Sequence, residues 1–275
     1  MDNKFEKQTV EILWTGGFDS SFRIVQLSRM PVIIQPYYLS DNRVSEQMEL
    51  SAIDRITERI RNDPDAQCTL LDLEYIPIAD RKMIPEVSKA YYSLKKEGRL
   101  GTQYKWLSCF SKDHPGIELS VQKEGRMDYL VNKCGAFKTI NDPVIGIYCV
   151  VDIEKSSVDI VNIFGNFHFP IVNLTKLEMR DEYIRLGSGD IIDMTWFCHR
   201  PKGNEPCGIC PPCGFVVEEG LSYRLSPKAL KRYKARKNRN RRKQAYKNTV
   251  NAVGRMLPPK IKIRILRLLN MNMKK

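Results

Sequence analysis

No apolar run in the chain approaches the ~18 residues that a membrane-spanning helix needs. The opening residues, Met1-Asp2-Asn3-Lys4-Phe5-Glu6-Lys7, lack the basic start and apolar stretch of a secretory signal. That predicts a cytoplasmic protein. Acidic residues are missing altogether from Arg224 to Lys275, a stretch with 19 Lys or Arg. The chain has 45 Lys and Arg in all, so residues 1–223 carry 26 of them against 32 Asp and Glu. The net charge of +13 therefore belongs to the tail, while the body is mildly acidic. Such asymmetry predicts two jobs or two partners. A disulfide framework is also missing. Cys68, Cys109, Cys134 and Cys149 stand alone, and Cys198, Cys207, Cys210 and Cys213 crowd together. In a reducing compartment a crowd of thiols reads as metal binding before it reads as disulfides. There is no internal repeat, no GxxxxGK[ST] and no GxGxxG.

What is present fits one large domain with an appendage. The chain has 275 residues, 42% of them hydrophobic, enough to bury a full core. Residues 1–223 read as the body, including a cysteine knuckle at 198–213, and residues 224–275 as a basic helical tail. "TVEILW" (9–14) reads as a buried strand, Ser20–Met30 as a helix and "VIIQPYYL" (32–39) as a second strand. Met48, Ala52, Ile53, Ile56 and Ile60 recur at helical spacing over Glu46–Ile60, and "QCTLLDLEYI" (67–76) reads as a third strand. Alternating strands and helices predict an α/β fold with a doubly wound parallel sheet. Further along, Lys82–Lys96 and Gly116–Asn132 look helical, and "DPVIGIYCVVDI" and "SVDIVNIF" look like strands. Over Asn173–Leu186, Thr175 and Glu178 have the spacing of a capping box.

The most informative stretch is Thr15-Gly16-Gly17-Phe18-Asp19-Ser20-Ser21. A strand ends before it and a helix begins in it. That places free backbone N–H groups and the positive end of a helix dipole at one point, a ready anion site. The glycines let backbone approach a phosphate without a Cβ clash, Ser20 and Ser21 offer hydroxyl donors, and Asp19 suits a turn-orienting or Mg²⁺-holding role. A plain βα turn that needed glycine is the bland alternative.

Near the other end of the body stands "CHRPKGNEPCGICPPC", Cys198-x8-Cys207-x2-Cys210-x2-Cys213. Four thiolates suit tetrahedral Zn²⁺, and Gly208, Pro211 and Pro212 supply the bends of a tight knuckle. A closed four-cysteine site is structural, with an iron–sulfur cluster as the alternative metal. His199, beside a filled site, reads as a bystander.

Residues 15–20 resemble the SGGxDS loop of the PP-loop ATP pyrophosphatases, with Thr15 in place of the first serine. That resemblance implies a loop gripping the β- and γ-phosphates of ATP while a substrate is adenylated at the α-phosphate and pyrophosphate leaves. Together with the cysteines, the chain resembles the QueC-type 7-cyano-7-deazaguanine synthases of queuosine biosynthesis. "YYLSDNRVSEQMELSA" is similar to the segment after their second strand, with Arg43 and Glu49 at the Arg and Glu positions. "FPIVNLTKLEMRDEYIRLG" is similar to their "PL…LTK.E…LG" stretch, giving Pro170, Thr175, Lys176 and Glu178. The resemblance spans residues 10–215. It implies an ATP-dependent carbon–nitrogen ligase that activates a carboxylate, forms an amide with ammonia and dehydrates it to a nitrile. It implies ATP, Mg²⁺ and Zn²⁺ as cofactors, Asp19, Ser20 and Lys176 in catalysis, and Thr15–Ser21 with Arg43 around the nucleotide. Where the family has GQRH, this chain has Ser40-Asp41-Asn42-Arg43. The family's VPGRN and GYPDCR segments have no counterpart, "GRLGTQYKWL" (98–107) and "VDIVNIFGNFHFP" standing in those places. The ATP half is thus kept better than the substrate half. That leaves a PP-loop amidotransferase on a sugar or other metabolite, a tRNA-modifying relative, and a non-catalytic nucleotide-binding module as competing readings.

Partners expected for the body are a small-molecule substrate, ammonia or another amine donor, and a second copy of the chain as a homodimer. For the tail they are an anionic membrane surface at the inner face, a protein partner or nucleic acid. Tyr233 and Tyr246 are placed to stack on bases. Ile261, Ile265, Leu268, Leu269 and Met273 give the last stretch an amphipathic pattern.

Overall fold

The computed structural model describes residues 7–80, 82–123 and 125–256. The amphipathic stretch expected over residues 261–273 lies outside them. The chain divides into two units, Met1–His199 and Arg200–Lys275. Composition changes later, at Tyr223–Arg224.

The first unit opens with β1 (Thr9–Leu13), α1 (Phe18–Ser28), β2 (Ile33–Ser40) and α2 (Glu46–Arg61), each within a few residues of its predicted bounds. Instead of one third strand there are two short ones, β3 (Thr69–Leu70) and β4 (Glu74–Pro77), both paired parallel to β2. β1 pairs parallel to the other edge of β2. Then follow α3 (Pro85–Glu97), α4 (Gln103–Asp113), α5 (Arg126–Cys134), β5 (Phe137–Asp142), β6 (Gly146–Val151), α6 (Val158–Phe164), α7 (Lys176–Arg185) and α8 (Ile191–Met194). The parallel run continues beyond β1 through single bridges. Leu13 N–H donates to Glu118 O (3.1 Å) and Glu118 N–H to Glu11 O (2.8 Å). Next, Leu119 N–H donates to His168 O (2.8 Å), and Phe169 exchanges hydrogen bonds with Cys149 of the antiparallel β5–β6 hairpin.

Strand alternation sends successive side chains to opposite faces. Leu13, Tyr37 and Leu39 enter a core with Val87, Tyr91, Phe110, Ile160 and Phe164 of α3, α4 and α6. On the opposite pleats, Trp14 Nε1 donates to Ser21 of α1 (3.0 Å) and the Tyr38 hydroxyl to Glu49 of α2 (2.8 Å). The sheet is therefore covered by helices on both faces. Each large apolar side chain so buried contributes about 1.5–3 kcal/mol.

Two expectations fail. "SVDIVNIF" is helix α6, not a strand. Ser157 Oγ accepts from Ile160 N–H (3.3 Å) as an N-cap, and Ile160, Ile163 and Phe164 share one buried face. Over seven residues a period of 2 and one of 3.6 fit the same apolar set, and the cap decides. Gly116–Asn132 is not one helix. Gly116 takes φ +90°, Glu118 pairs with β1, and only Arg126–Cys134 is helical. Residues 98–107, read only as an unmatched segment, lead into and begin α4, which buries Leu107, Ser108 and Phe110.

In the second unit, α9 (Pro211–Glu218) starts on two prolines, which cost nothing where an N–H is unpaired anyway. It is followed by α10 (Pro227–Met256), the helix expected for the tail. Among the described residues no helix is long and apolar enough to cross a membrane.

Candidate functional site

The loop between β1 and α1 takes its shape from Gly16. Its φ is +64°, and a Cβ there would lie 2.6 Å from the backbone oxygen of Glu49 on α2. Only glycine allows that approach. At Gly17 the backbone is extended, and a Cβ would meet nothing closer than 3.4 Å. Gly17 is the N-cap of α1, and no side chain caps that first turn. Ser20 Oγ faces the loop, accepting from Thr15 N–H (3.3 Å), with Thr15 Oγ1 at 3.5 Å. Ser21 instead is fully buried and accepts from Trp14 Nε1, so its hydroxyl serves the core. Trp196 N–H donates to Gly16 O (2.8 Å) and Trp196 Nε1 to Cys198 O (2.8 Å), which fastens the loop to the segment entering the cysteines.

The predicted residues Asp19 and Lys176, 157 positions apart, meet. Lys176 Nζ donates to Asp19 Oδ1 and lies 4.3 Å from the Phe18 ring centroid. The pair is part-exposed, at 28% and 30%. Lys176 is the first residue of α7, whose start is fixed by the predicted capping box. Glu178 N–H donates to Thr175 Oγ1 (3.3 Å), and Thr175 N–H donates to the Glu178 carboxylate (2.7 Å). Tyr183 of α7 donates its hydroxyl to Phe18 O (3.0 Å) and packs edge-on against Phe18 and Phe22. The start of α1 and one lysine from α7 thus converge on the glycine loop, an arrangement that attracts anions.

Arg43 sits apart from the loop itself. Its Nε donates to Asp41 (2.6 Å) and its Nη1 lies 3.7 Å from Glu49. Glu49 also accepts from Ser45 (2.6 Å) and Tyr38 (2.8 Å). Burial first, then the charge of Glu49, pushes the Tyr38 phenol far above its ordinary range, so it stays a donor. Arg43 and the loop are joined through Glu49, whose backbone oxygen faces Gly16.

Three groups here escaped the sequence reading. Ser120 Oγ and Gln122 Oε1 are buried without a hydrogen-bond partner. They follow the 117–119 strand, the neighbour of β1 on the side away from β2. Between those two strands the chain order across the sheet reverses, and ligands of open α/β sheets bind at the carboxyl ends of strands around such a point. Buried orphan polar atoms cost about 1–3 kcal/mol each, so a ligand there has something to satisfy. Glu118, the third, pairs with Arg23. No motif marks any of these residues, because each acts through a partner distant in sequence.

The four cysteines come together as predicted. Their Sγ atoms lie within 4.8 Å of one another and all four residues are buried. A tetrahedral Zn²⁺ with Zn–S near 2.3 Å requires sulfurs about 3.8 Å apart. Cys207–Cys213 and Cys210–Cys213, at 3.9 and 3.3 Å, are close to that. Ile209 and Cys210 N–H both donate to Cys207 Sγ (3.3 Å), as a thiolate would require. Gly208, at φ +73°, would place a Cβ 2.0 Å from Ala229 O, so the knuckle needs glycine there. The set therefore fits a closed structural metal site, with no place left for water.

No protein-family model matches the chain, and no curated protein matches it.

Proposed function

We propose that the protein is an ATP-dependent carbon–nitrogen ligase of the PP-loop type, built on a doubly wound sheet, that releases pyrophosphate and resembles the QueC-type synthases. The observation that carries this reading is the meeting of Lys176 and Asp19 at the glycine loop where the uncapped α1 starts. In this reading the N–H groups at the start of α1 and the Ser20 and Thr15 hydroxyls hold the β- and γ-phosphates. Asp19 is the Mg²⁺ contact, and Arg43 flanks the nucleotide. A substrate carboxylate oxygen attacks the α-phosphorus, the bond to the β-phosphate oxygen breaks, and pyrophosphate leaves. Ammonia displaces AMP to give the amide, and a second adenylation on the amide oxygen, followed by loss of AMP and a proton, gives the nitrile.

Lys176 neutralises charge that grows on the phosphates as that bond breaks, a role worth about 10²–10³ in rate for one well-placed donor. The orphaned Ser120 and Gln122 are the candidate contacts to the acyl substrate. The zinc is structural.

The test is pyrophosphate release in a screen of carboxylates that includes 7-carboxy-7-deazaguanine with ammonia. Release expected with wild type should vanish in Asp19→Ala and fall about 10²–10³-fold in Lys176→Met. Full release by both variants would sink the reading. ATP binding without release under any carboxylate would favour the non-catalytic nucleotide-binding module.

A further inference from the structure

Helix α10 carries 11 Lys or Arg between Lys228 and Lys247. Positions 234–249 are exposed on every side and hold no apolar residue beyond Ala235, Ala245 and Tyr246. A helix lying on a membrane needs an apolar face to bury, and this stretch has none. Its charge suits a polyanion that surrounds or follows it.

One stripe of the helix does more than carry charge. Tyr233, Arg236, Asn240, Arg241 and Gln244 recur at three- and four-residue steps, so they share a face. That face lines one wall of a groove of about 520 Å³. The other wall is the cysteine knuckle and α9, where the Phe215 ring is 57% exposed. Within this unit the wall is anchored by Arg232, whose Nε donates to Cys207 O (2.8 Å) and whose Nη2 donates to Pro206 O (3.3 Å). One carboxylate, Glu218, lies on the lining among three cations, including Lys237. Lys237 Nζ already covers the Tyr233 ring at 5.6 Å, which leaves Phe215 as the open aromatic face.

We propose that this groove binds a single-stranded polynucleotide. Phe215 stacks on a base, Arg236 and Arg241 contact successive phosphates, the Asn240 amide faces a base edge, and Gln244, whose Nε2 donates to Asn248 Oδ1 (3.0 Å), offers its amide oxygen. The combination of an open ring, guanidinium groups and side-chain amides along one track is what an unpaired strand requires, since its bases are free to stack. Anionic lipid headgroups would use the charge and leave the ring and amides without a role.

The experiment is fluorescence anisotropy of the full chain with labelled U12 RNA and dT12 DNA across a salt series. Sedimentation with vesicles of 30% phosphatidylglycerol runs in parallel. Binding of either oligonucleotide is expected, and the RNA/DNA ratio tells whether the 2′-hydroxyl is read. Phe215→Ala should weaken binding by about 5- to 150-fold, the range for loss of one base stack. Arg236→Gln/Arg241→Gln should lower the slope of log affinity against log salt by about 1.4, for two phosphates at ~0.7 each. Both variants change exposed side chains, and unchanged thermal melts confirm that each folds. Vesicle sedimentation without oligonucleotide binding overturns the proposal. So does oligonucleotide binding that neither variant changes, because the contact would then lie elsewhere on the tail.

Discussion

Glu118→Gln should destabilise the first unit strongly. Arg23 and Glu118 form a bidentate pair, Nε–Oε2 2.8 Å and Nη2–Oε1 2.7 Å, with side chains 3% and 1% exposed. Arg23 Nη2 has one further acceptor, Ile145 O at 3.2 Å. Glutamine keeps one acceptor oxygen but turns an amide toward the guanidinium and leaves its charge without a counter-ion. Removing one partner of a buried pair costs about 3–5 kcal/mol, because the other charge stays desolvated. At roughly 2–4 °C per kcal/mol for a domain of this size, the melting midpoint should fall by about 6–20 °C. Urea unfolding followed through the fully buried Trp14 at the end of β1 gives the free energy directly. The double change Arg23→Met/Glu118→Leu should recover most of the loss, since an apolar pair of similar volume is often as stable as a buried ion pair. A loss below about 1 kcal/mol in Glu118→Gln, or a double variant no better than the single one, would refute the reasoning. The pair joins α1, which begins at the glycine loop, to the strand that leads into Ser120 and Gln122. It therefore sets the spacing between the two halves of the proposed site.

Metal analysis of purified protein should give about one zinc per chain, and iron with visible absorption would overturn that assignment. Cys213→Ser should lose the metal and lower the unfolding midpoint of the second unit. Gly16→Ala should cost at least about 2 kcal/mol, from the left-handed backbone and the 2.6 Å contact with Glu49 O, whereas Gly17→Ala should leave the melt unchanged. Asp63, which accepts from Arg29 (2.9 Å) and Arg59 (2.8 Å), has its carboxyl lowered from 3.8 to about 2, chiefly by the Arg29 hydrogen bond. This stabilisation is present above the unfolded value and is lost as pH falls through the folded one. Asp63→Asn should thus cost about 2 kcal/mol at neutral pH, and urea titrations should find the cost shrinking between pH 4 and 2. Thr175→Ala should cost about 1 kcal/mol by chemical unfolding, with Thr175→Ser restoring it, because the hydroxyl is the N-cap of α7.

Elements whose signals are local could be read from the sequence. β1, α1, β2 and α2 announce themselves by periodicity, and the α7 capping box by two residues three apart. The cysteines could be read because a metal knuckle is written within sixteen positions. What escaped was set by contacts distant in sequence. Residues 117–119 look like part of a helix until β1 and His168 supply hydrogen bonds on both sides. "SVDIVNIF" is too short for its period to decide, and one serine hydroxyl tips it into a helix. Ser21, read as a phosphate donor from its place in the loop, is claimed by Trp14, a partner that the strand direction determines and the motif does not reveal.

The lysine tells the same story at the site. Thr15–Ser21 has no cation of its own. The fold brings one from the first turn of another helix, across 157 residues, and holds it by Asp19, the Phe18 ring and the Thr175 cap. A lysine within the loop would sit on the loop's own backbone, beside any anion that the N–H groups held. A lysine on α7 would approach the same anion from a second, independently capped element. Its position then depends on how α7 packs on α1 through Tyr183, Phe18 and Phe22. On the proposed reading, the charge that aids departure of pyrophosphate is positioned by aromatic packing of Tyr183 on the loop's own Phe18 and on Phe22. On that reading the glycine motif marks where the anion would be held, and the packing of α7 would determine whether that holding becomes chemistry.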